Sequence, residues 1–262
     1  MRESEVVTLH VPRIRDGAVS VSRELPMTTQ SFAEILEAST QRCRVMDGPL
    51  AHRLQAFADD VRALDATFAD IVDRMVSRLK TSGAGETAPA PGERMLPFLL
   101  PDQDGRLVSL DQLLRRGPTV ISFHRGHWCP YCRLNADALA RMEPEVTASG
   151  GEIVAITPEL RQFTSELKSD SKVPFPILTD LDNGYALELN LLIWVDDEKR
   201  RAMTAAGWDI SAYQGNDTWM LPIPATFVVA PDGVVKARFV DPDYRKRMAI
   251  EDILAAVRQI AN

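Results

Sequence analysis

The run TVISFHRGHWCPYCRLNADAL, residues 119–139, constrains this chain more than any other stretch. A β-branched apolar segment that reads as a buried strand gives way to a helical pattern, and two cysteines two residues apart stand at the change. Pro130 fits the first helical position, where no backbone N–H is needed, which makes Cys129 the N-cap. Backbone N–H groups and the helix dipole stabilise a thiolate there, so a cysteine at such a site can ionise at about 3.5 to 7.5 rather than near 8.5. Three readings of CPYC are open: a redox pair, a metal clip, or two small core residues. The metal reading has four donors within nine residues, His124, His127, Cys129 and Cys132. Structural zinc sites draw two ligand pairs from separate segments, and strand side chains alternate in direction. His124 is therefore expected to be a packed histidine, His127 a loop residue near the thiols, and no metal is expected. Packing alone does not explain a proline between the cysteines at a helix start, so the redox reading leads, with Cys129 as the more exposed thiolate.

Composition narrows the setting. The 262 residues are 45% hydrophobic and 26% charged, enough for a real core. Thirty basic against 37 acidic side chains give a net charge of −7, which does not suit a phosphate-binding surface, so no nucleic-acid partner is expected. Neither an apolar leader nor a run of 18 apolar residues is present, so no membrane span and a cytoplasmic location are expected. Three cysteines, Cys43, Cys129 and Cys132, are too few for a disulfide framework. Cys43 reads as a lone helix residue.

Residues 1–26 show no sustained period and are expected to be irregular or at most a short strand pair. TTQSFAEILEAST reads as a capped amphipathic helix. Leu50, Leu54, Phe57, Val61, Leu64, Phe68, Ile71 and Met75 then recur at steps of four and three, the stripe of one long helix. That stripe serves either packing on the chain's own body or a homodimer seam. TSGAGETAPAPGE reads as a linker, dividing an N-terminal helical extension, residues 1–84, from a second domain, residues 85–262. Beyond it the expected elements are strands at RLVSL and TVISF, a helix over 130–148, a strand at GEIVAIT, and a helix over 159–170. A strand at FPILTD, a short helix over 183–190, a hairpin turning at Asp232 and Gly233, and a closing helix over 249–260 follow. Residues 191–221, with Trp194, Trp208 and Trp219, read as an insertion, and DPDYRKR as a solvated turn. This order describes an α/β chain with a central mixed sheet flanked by helices, a thioredoxin-like fold with an N-terminal helical extension.

Pro224, ahead of the hairpin strand, is expected to be a cis proline facing the cysteines and pairing with substrate backbone. Trp128 and Tyr131 are expected to shape the substrate surface.

The segments FHRGHWCPYC, GGEIVAITPE, FPILTDLDNGYALELNL and LPIPATFVVAPDGVVKARFVDPDYRKR resemble the peroxiredoxin-like branch of the AhpC/TSA superfamily from about residue 88 to 260; CPYC by itself also resembles a glutaredoxin site. Peroxiredoxins carry F-x-P-x-x-x-T/S-x-x-C and an arginine two residues before the Thr-Phe of a later strand. With Phe123 on the phenylalanine, the resemblance puts Cys132 at the peroxidatic cysteine, Cys129 at the Thr/Ser, Arg125 at the proline and Pro224 at the arginine. It implies a cysteine-based oxidoreductase that needs no cofactor, with catalytic Cys129 and Cys132 and a substrate surface of Arg125, Trp128, Tyr131 and Pro224. A thioredoxin-type or low-molecular-weight thiol would supply electrons. Reduction of a disulfide led by Cys129, reduction of peroxide led by Cys132, and a redox-sensing interaction protein are the three functions left open.

Overall fold

The amphipathic stripe expected as one helix folds as two. In this computed structural model, which describes residues 32–261, α1 (Phe32–Val45) is followed by α2 (Leu50–Leu64) and α3 (Ala66–Thr81). The break is Asp65, whose backbone is extended and whose carboxylate accepts a hydrogen bond from the Phe68 N–H at 2.9 Å. A short acidic side chain at an N-cap satisfies an N–H that the helix itself cannot, so apolar periodicity runs straight through a real stop. Leu50, Leu54, Phe57, Val61, Phe68 and Met75 are all buried, in a cluster shared with Phe123, Tyr131 and Phe227. Most of the stripe thus packs on the chain's own body, the first of the two uses considered for it, with Leu64 and Ile71 half-buried. The strand pair considered for residues 1–26 lies outside the described residues.

Of residues 81–93, expected as a linker, Thr81 closes α3 and the rest lie against the hairpin instead. Gly92 N–H donates to the Val235 carbonyl at 2.9 Å, Arg238 donates to the Ala88 and Pro89 carbonyls, and Ala88 is buried. Gly85, at φ +83°, leaves only 2.8 Å between an added Cβ and Val240, so its missing side chain permits that close approach.

A small hairpin of β1 (Leu99–Pro101) and β2 (Leu107–Ser109) leads into α4 (Leu110–Leu114), started by a reciprocal Ser109–Gln112 capping box. Then come β3 (Thr119–Phe123), α5 (Pro130–Ala148), β4 (Glu152–Thr157), α6 (Arg161–Asp170), β5 (Ile177–Thr179) and α7 (Gly184–Glu188). The segment expected as an insertion is ordered as β6 (Leu192–Trp194), α8 (Asp197–Ala205), α9 (Ile210–Gln214) and β7 (Met220–Pro222), with β6 and β7 paired antiparallel. The chain finishes with β8 (Ala225–Val229), β9 (Val235–Val240) and α10 (Ile250–Ala261).

The central sheet has the order β5-β4-β3-β8-β9. Val120 pairs with Ile153 in the parallel β3–β4 ladder, and Ile121 with Phe227 in the antiparallel β3–β8 ladder. All five β3 residues are buried, as a strand covered on both faces requires. This is the thioredoxin-like fold expected, with α5 leaving the carboxyl end of the middle strand and carrying the cysteines. No helix among the described residues is long and apolar enough to cross a membrane.

Candidate active site

Pro130 opens α5 as expected and Cys129 caps it, but the Cys129 sulfur makes no cap hydrogen bond. Both cysteines are buried, Cys129 with 1% exposure and Cys132 with none. The expected exposed thiolate at Cys129 is therefore corrected. The donors converge on Cys132: the Arg125 backbone N–H reaches its Sγ at 3.3 Å, and Arg247 Nη2 at 3.4 Å. Burial by itself would raise the Cys132 thiol, but a hydrogen bond from Cys129 and the charge of Arg247, assisted by Arg125, hold it well below the ordinary thiol range. Burial and the adjacent Cys132 anion push Cys129 well up. The anion sits on Cys132, with Cys129 as its hydrogen-bond donor.

Arg247 was the residue missed. DPDYRKR is not a solvated turn: Asp243, Tyr244 and Arg247 are buried, and Arg247 also donates to the Tyr244 and Lys246 carbonyls. Its 115-residue separation from Cys132 leaves no local signal. Arg125 lies with its guanidinium carbon 3.8 Å above the Tyr244 ring and 4.8 Å from the Trp128 ring centroid. Tyr131 meets Phe57 edge-on, ring centres 5.0 Å apart, and Tyr244 at 5.5 Å. Arg125, Trp128 and Tyr131 are thus gathered around the pair.

Pro224 is not brought to it in the manner expected. No peptide bond among the described residues is cis, and Pro224 sits between β7 and β8 and is not among the residues lining the cavity beside Cys129. The short β7, paired to β6, holds the chain two residues before β8 begins.

The loop 124–128 is fixed by a fully buried carboxylate, Glu159, a second residue the sequence reading missed. It accepts the His127 backbone N–H at 2.7 Å, and the His127 ring Nδ1 lies 2.6 Å from it. Burial raises the Glu159 carboxyl while the His127 contacts pull it back. His124 is packed as expected, 3.0 Å from Ser122 Oγ and 3.2 Å from Asn135 Nδ2, and burial lowers it to about 4, so it stays neutral. Among the described residues no group of three or more His, Cys, Asp or Glu is arranged to hold a metal ion.

A cavity of about 540 Å³ opens beside Cys129, between α2, α3, α8 and the 243–247 segment. Trp128, Cys129 and Tyr131 line it, and Cys132 does not.

Comparison with known proteins bears on this arrangement. Peroxiredoxin Q, chloroplastic, of Oryza sativa subsp. japonica is 34% identical over 86 residues, 33% of this chain and 39% of that protein. The chain therefore spans about 39% of the length of that relative. The 1-Cys peroxiredoxin PER1 of Hordeum vulgare is 24% identical over 176 residues, 62% of this chain and 72% of the relative. The crystal structure of peroxidoxin BcpB from Mycobacterium tuberculosis superposes with a TM-score of 0.52 at 20% identity, covering 66% of this chain and 98% of that one, and so shares the fold. Residues 91–238, more than half of the chain and including both cysteines and the whole central sheet except the last two residues of β9, match the AhpC/TSA family, to which this chain belongs.

Proposed function

We propose that this chain is a cysteine-based thiol peroxidase in which Cys132 is the attacking thiolate and Cys129 the resolving thiol. The observation that carries the reading is the pair of donors, Arg125 N–H and the Arg247 guanidinium, on the Cys132 sulfur. The Cys132 thiolate attacks one oxygen of a peroxide ROOH, the O–O bond breaks, and RO⁻ leaves to take up a proton as ROH. Cys132 is then a sulfenic acid. The Cys129 thiol attacks that sulfur, the S–O bond breaks, and water leaves with the Cys129 proton, giving the 129–132 disulfide. Two equivalents of a thioredoxin-type or low-molecular-weight thiol return it to the dithiol and become a disulfide themselves, so no bound cofactor enters the cycle. The cytoplasmic, reducing setting expected from the sequence suits that return.

Thiol–disulfide exchange led by Cys129 is a second reading, favoured by the fact that Cys129 lines the cavity. One experiment separates the two. On the peroxidase reading, Cys129→Ser consumes one equivalent of peroxide and stops at a Cys132 sulfenic acid, while Cys132→Ser consumes none. A Cys132→Ser protein that traps a mixed disulfide on Cys129, with a peroxide-inert Cys129→Ser, would instead establish the exchange reading.

A further inference from the structure

The cavity beside the cysteines holds buried basic side chains with donor atoms that find no acceptor among the described residues. Lys199, on α8, has 1% exposure, and its Nζ has no hydrogen-bond partner. It rests 3.6 Å from the centre of the Phe68 ring. Of the three carboxylates that immediately precede it in sequence, two are engaged elsewhere: Asp196 takes Arg78 at 2.8 Å, and Glu198 takes Arg74 at 2.6 Å. Arg125, 3% exposed and lining the same cavity, has a second unpartnered donor, its Nε. Of the three acids lining the cavity, Asp243 is taken by Arg245 at 2.7 Å and Asp73 by Arg62 and Arg245 at 2.5 and 2.7 Å, while Asp59 accepts from Gln55 at 2.8 Å. A buried amine without an acceptor is costly, and the apolar walls supplied by Leu54, Phe57, Val61 and Val72 cannot relieve it.

We infer that the cavity binds a small organic acid, an apolar body ending in a carboxylate, with the carboxylate received by Lys199 and Arg125 and the apolar body lying along α2 and α3. A cavity of about 540 Å³ falls within the usual range for a small-molecule site, and its mixture of apolar wall and a few convergent polar groups has the expected character. An uncharged or cationic ligand of the same length would leave the two donors unpaired or repelled. The site adjoins Cys129, so such an acid is placed to act as a substrate carrying a peroxide; naming it a substrate rests on the thiol-peroxidase reading, whereas its binding does not.

Octanoate, which has the head group and chain but no peroxide, tests the binding directly. Titrated into the reduced full chain, it should change the fluorescence of the cavity tryptophans Trp128 and Trp208 saturably. Octan-1-ol and octylammonium should bind about tenfold or more weakly, since they lack the charge-assisted hydrogen bonds. Lys199→Met should weaken octanoate about tenfold or more and leave octan-1-ol within about twofold. Octanoate should also slow oxidation by cumene hydroperoxide competitively. Equal affinities of octanoate and octan-1-ol for the wild-type protein would overturn the inference without any variant, as would undiminished octanoate binding by folded Lys199→Met. Octanoate that binds without competing would remove the substrate role. A protein that no peroxide oxidises, yet binds octanoate selectively, would sink the peroxidase reading and leave the acid site standing.

Discussion

Arg247 Nη2 donates to the sulfur of Cys132 at 3.4 Å, joining two residues 115 positions apart. The contact places a permanent cation against a thiol that is otherwise fully buried, and a buried thiolate needs such a partner. Arg125 contributes its backbone N–H from the other side at 3.3 Å. Peroxide chemistry at this site depends on that pair, because the thiolate and not the thiol is the nucleophile.

Replacing Arg247 by Met should therefore raise the Cys132 thiol toward the ordinary value of about 8.5. The rate of oxidation by peroxide follows the ionised fraction. In the wild type, with Cys132 held well below the usual range, the rate should be flat through neutral pH and fall only as acid protonates the sulfur. In Arg247→Met it should be about tenfold lower at pH 7 and recover as pH rises through the new value. A pH profile that does not move would take Arg247 out of the reaction.

Mild oxidation should join Cys129 to Cys132 and leave Cys43 reduced. The two sulfurs already share a hydrogen bond, which makes their effective concentration very high, whereas Cys43 is buried in α1. Peptide mapping of the oxidised chain reads this directly, and a principal disulfide containing Cys43 would refute it.

Much of this architecture was written locally. The β-branched run at Thr119–Phe123, Pro130 at N1 and the Asp232–Gly233 turn each specify their element through nearest neighbours, and each is found where the sequence put it. The errors share a different cause. Asp65 stops a helix without interrupting its apolar stripe, since a cap acts through one side chain while periodicity averages over many. The helix dipole, visible in a sequence, points to Cys129 as the thiolate; the donors that favour Cys132 come from Arg247 and from the fold of loop 124–128. Lys199 lay within a segment read only as an insertion, and its burial depends on α3 crossing over it.

Gly126 is required by close approach. Its φ is +145°, and an added Cβ would lie 2.5 Å from both the Glu159 carboxyl and Trp128 Nε1. Gly126→Ala should lose on the order of 1–3 kcal/mol in denaturant unfolding and slow oxidation, since the loop that presents the Arg125 N–H must shift. Wild-type stability together with wild-type oxidation would show that the loop adapts freely.

Lys199 gives a stability signature with a definite sign. Burial, followed by repulsion from Arg125, holds its amine well below the ordinary lysine value, with Cys129 and Asp196 pulling it back and Arg245 adding to the lowering. Between the folded and unfolded values, unfolding takes up a proton, so wild-type stability should rise with pH across that window and level off above about 10.4. Lys199→Met should be more stable at pH 7, by about 2–4 °C for each kcal/mol recovered, and should lack this rise. A destabilised variant with the same pH slope would mean that the amine is satisfied in the folded chain.

Tyr131, between the two cysteines, ties their chemistry to the N-terminal helices. Its ring meets Phe57 of α2 at 5.0 Å and 87°, and Arg53 one turn earlier binds Asp137 of α5 at 3.0 Å. Closing a disulfide brings two sulfurs to about 2.05 Å and must shift the first turn of α5, which carries Tyr131. Amide exchange in residues 53–61 should therefore quicken when the 129–132 disulfide forms. Phe57→Ala should cost about 3–5 kcal/mol of stability by opening a cavity under Tyr131, and should abolish the difference in exchange between the reduced and oxidised chains. If α2 exchanges identically in both redox states of the wild type, the edge-on contact is packing alone, and the helices have no part in reporting the state of the cysteines.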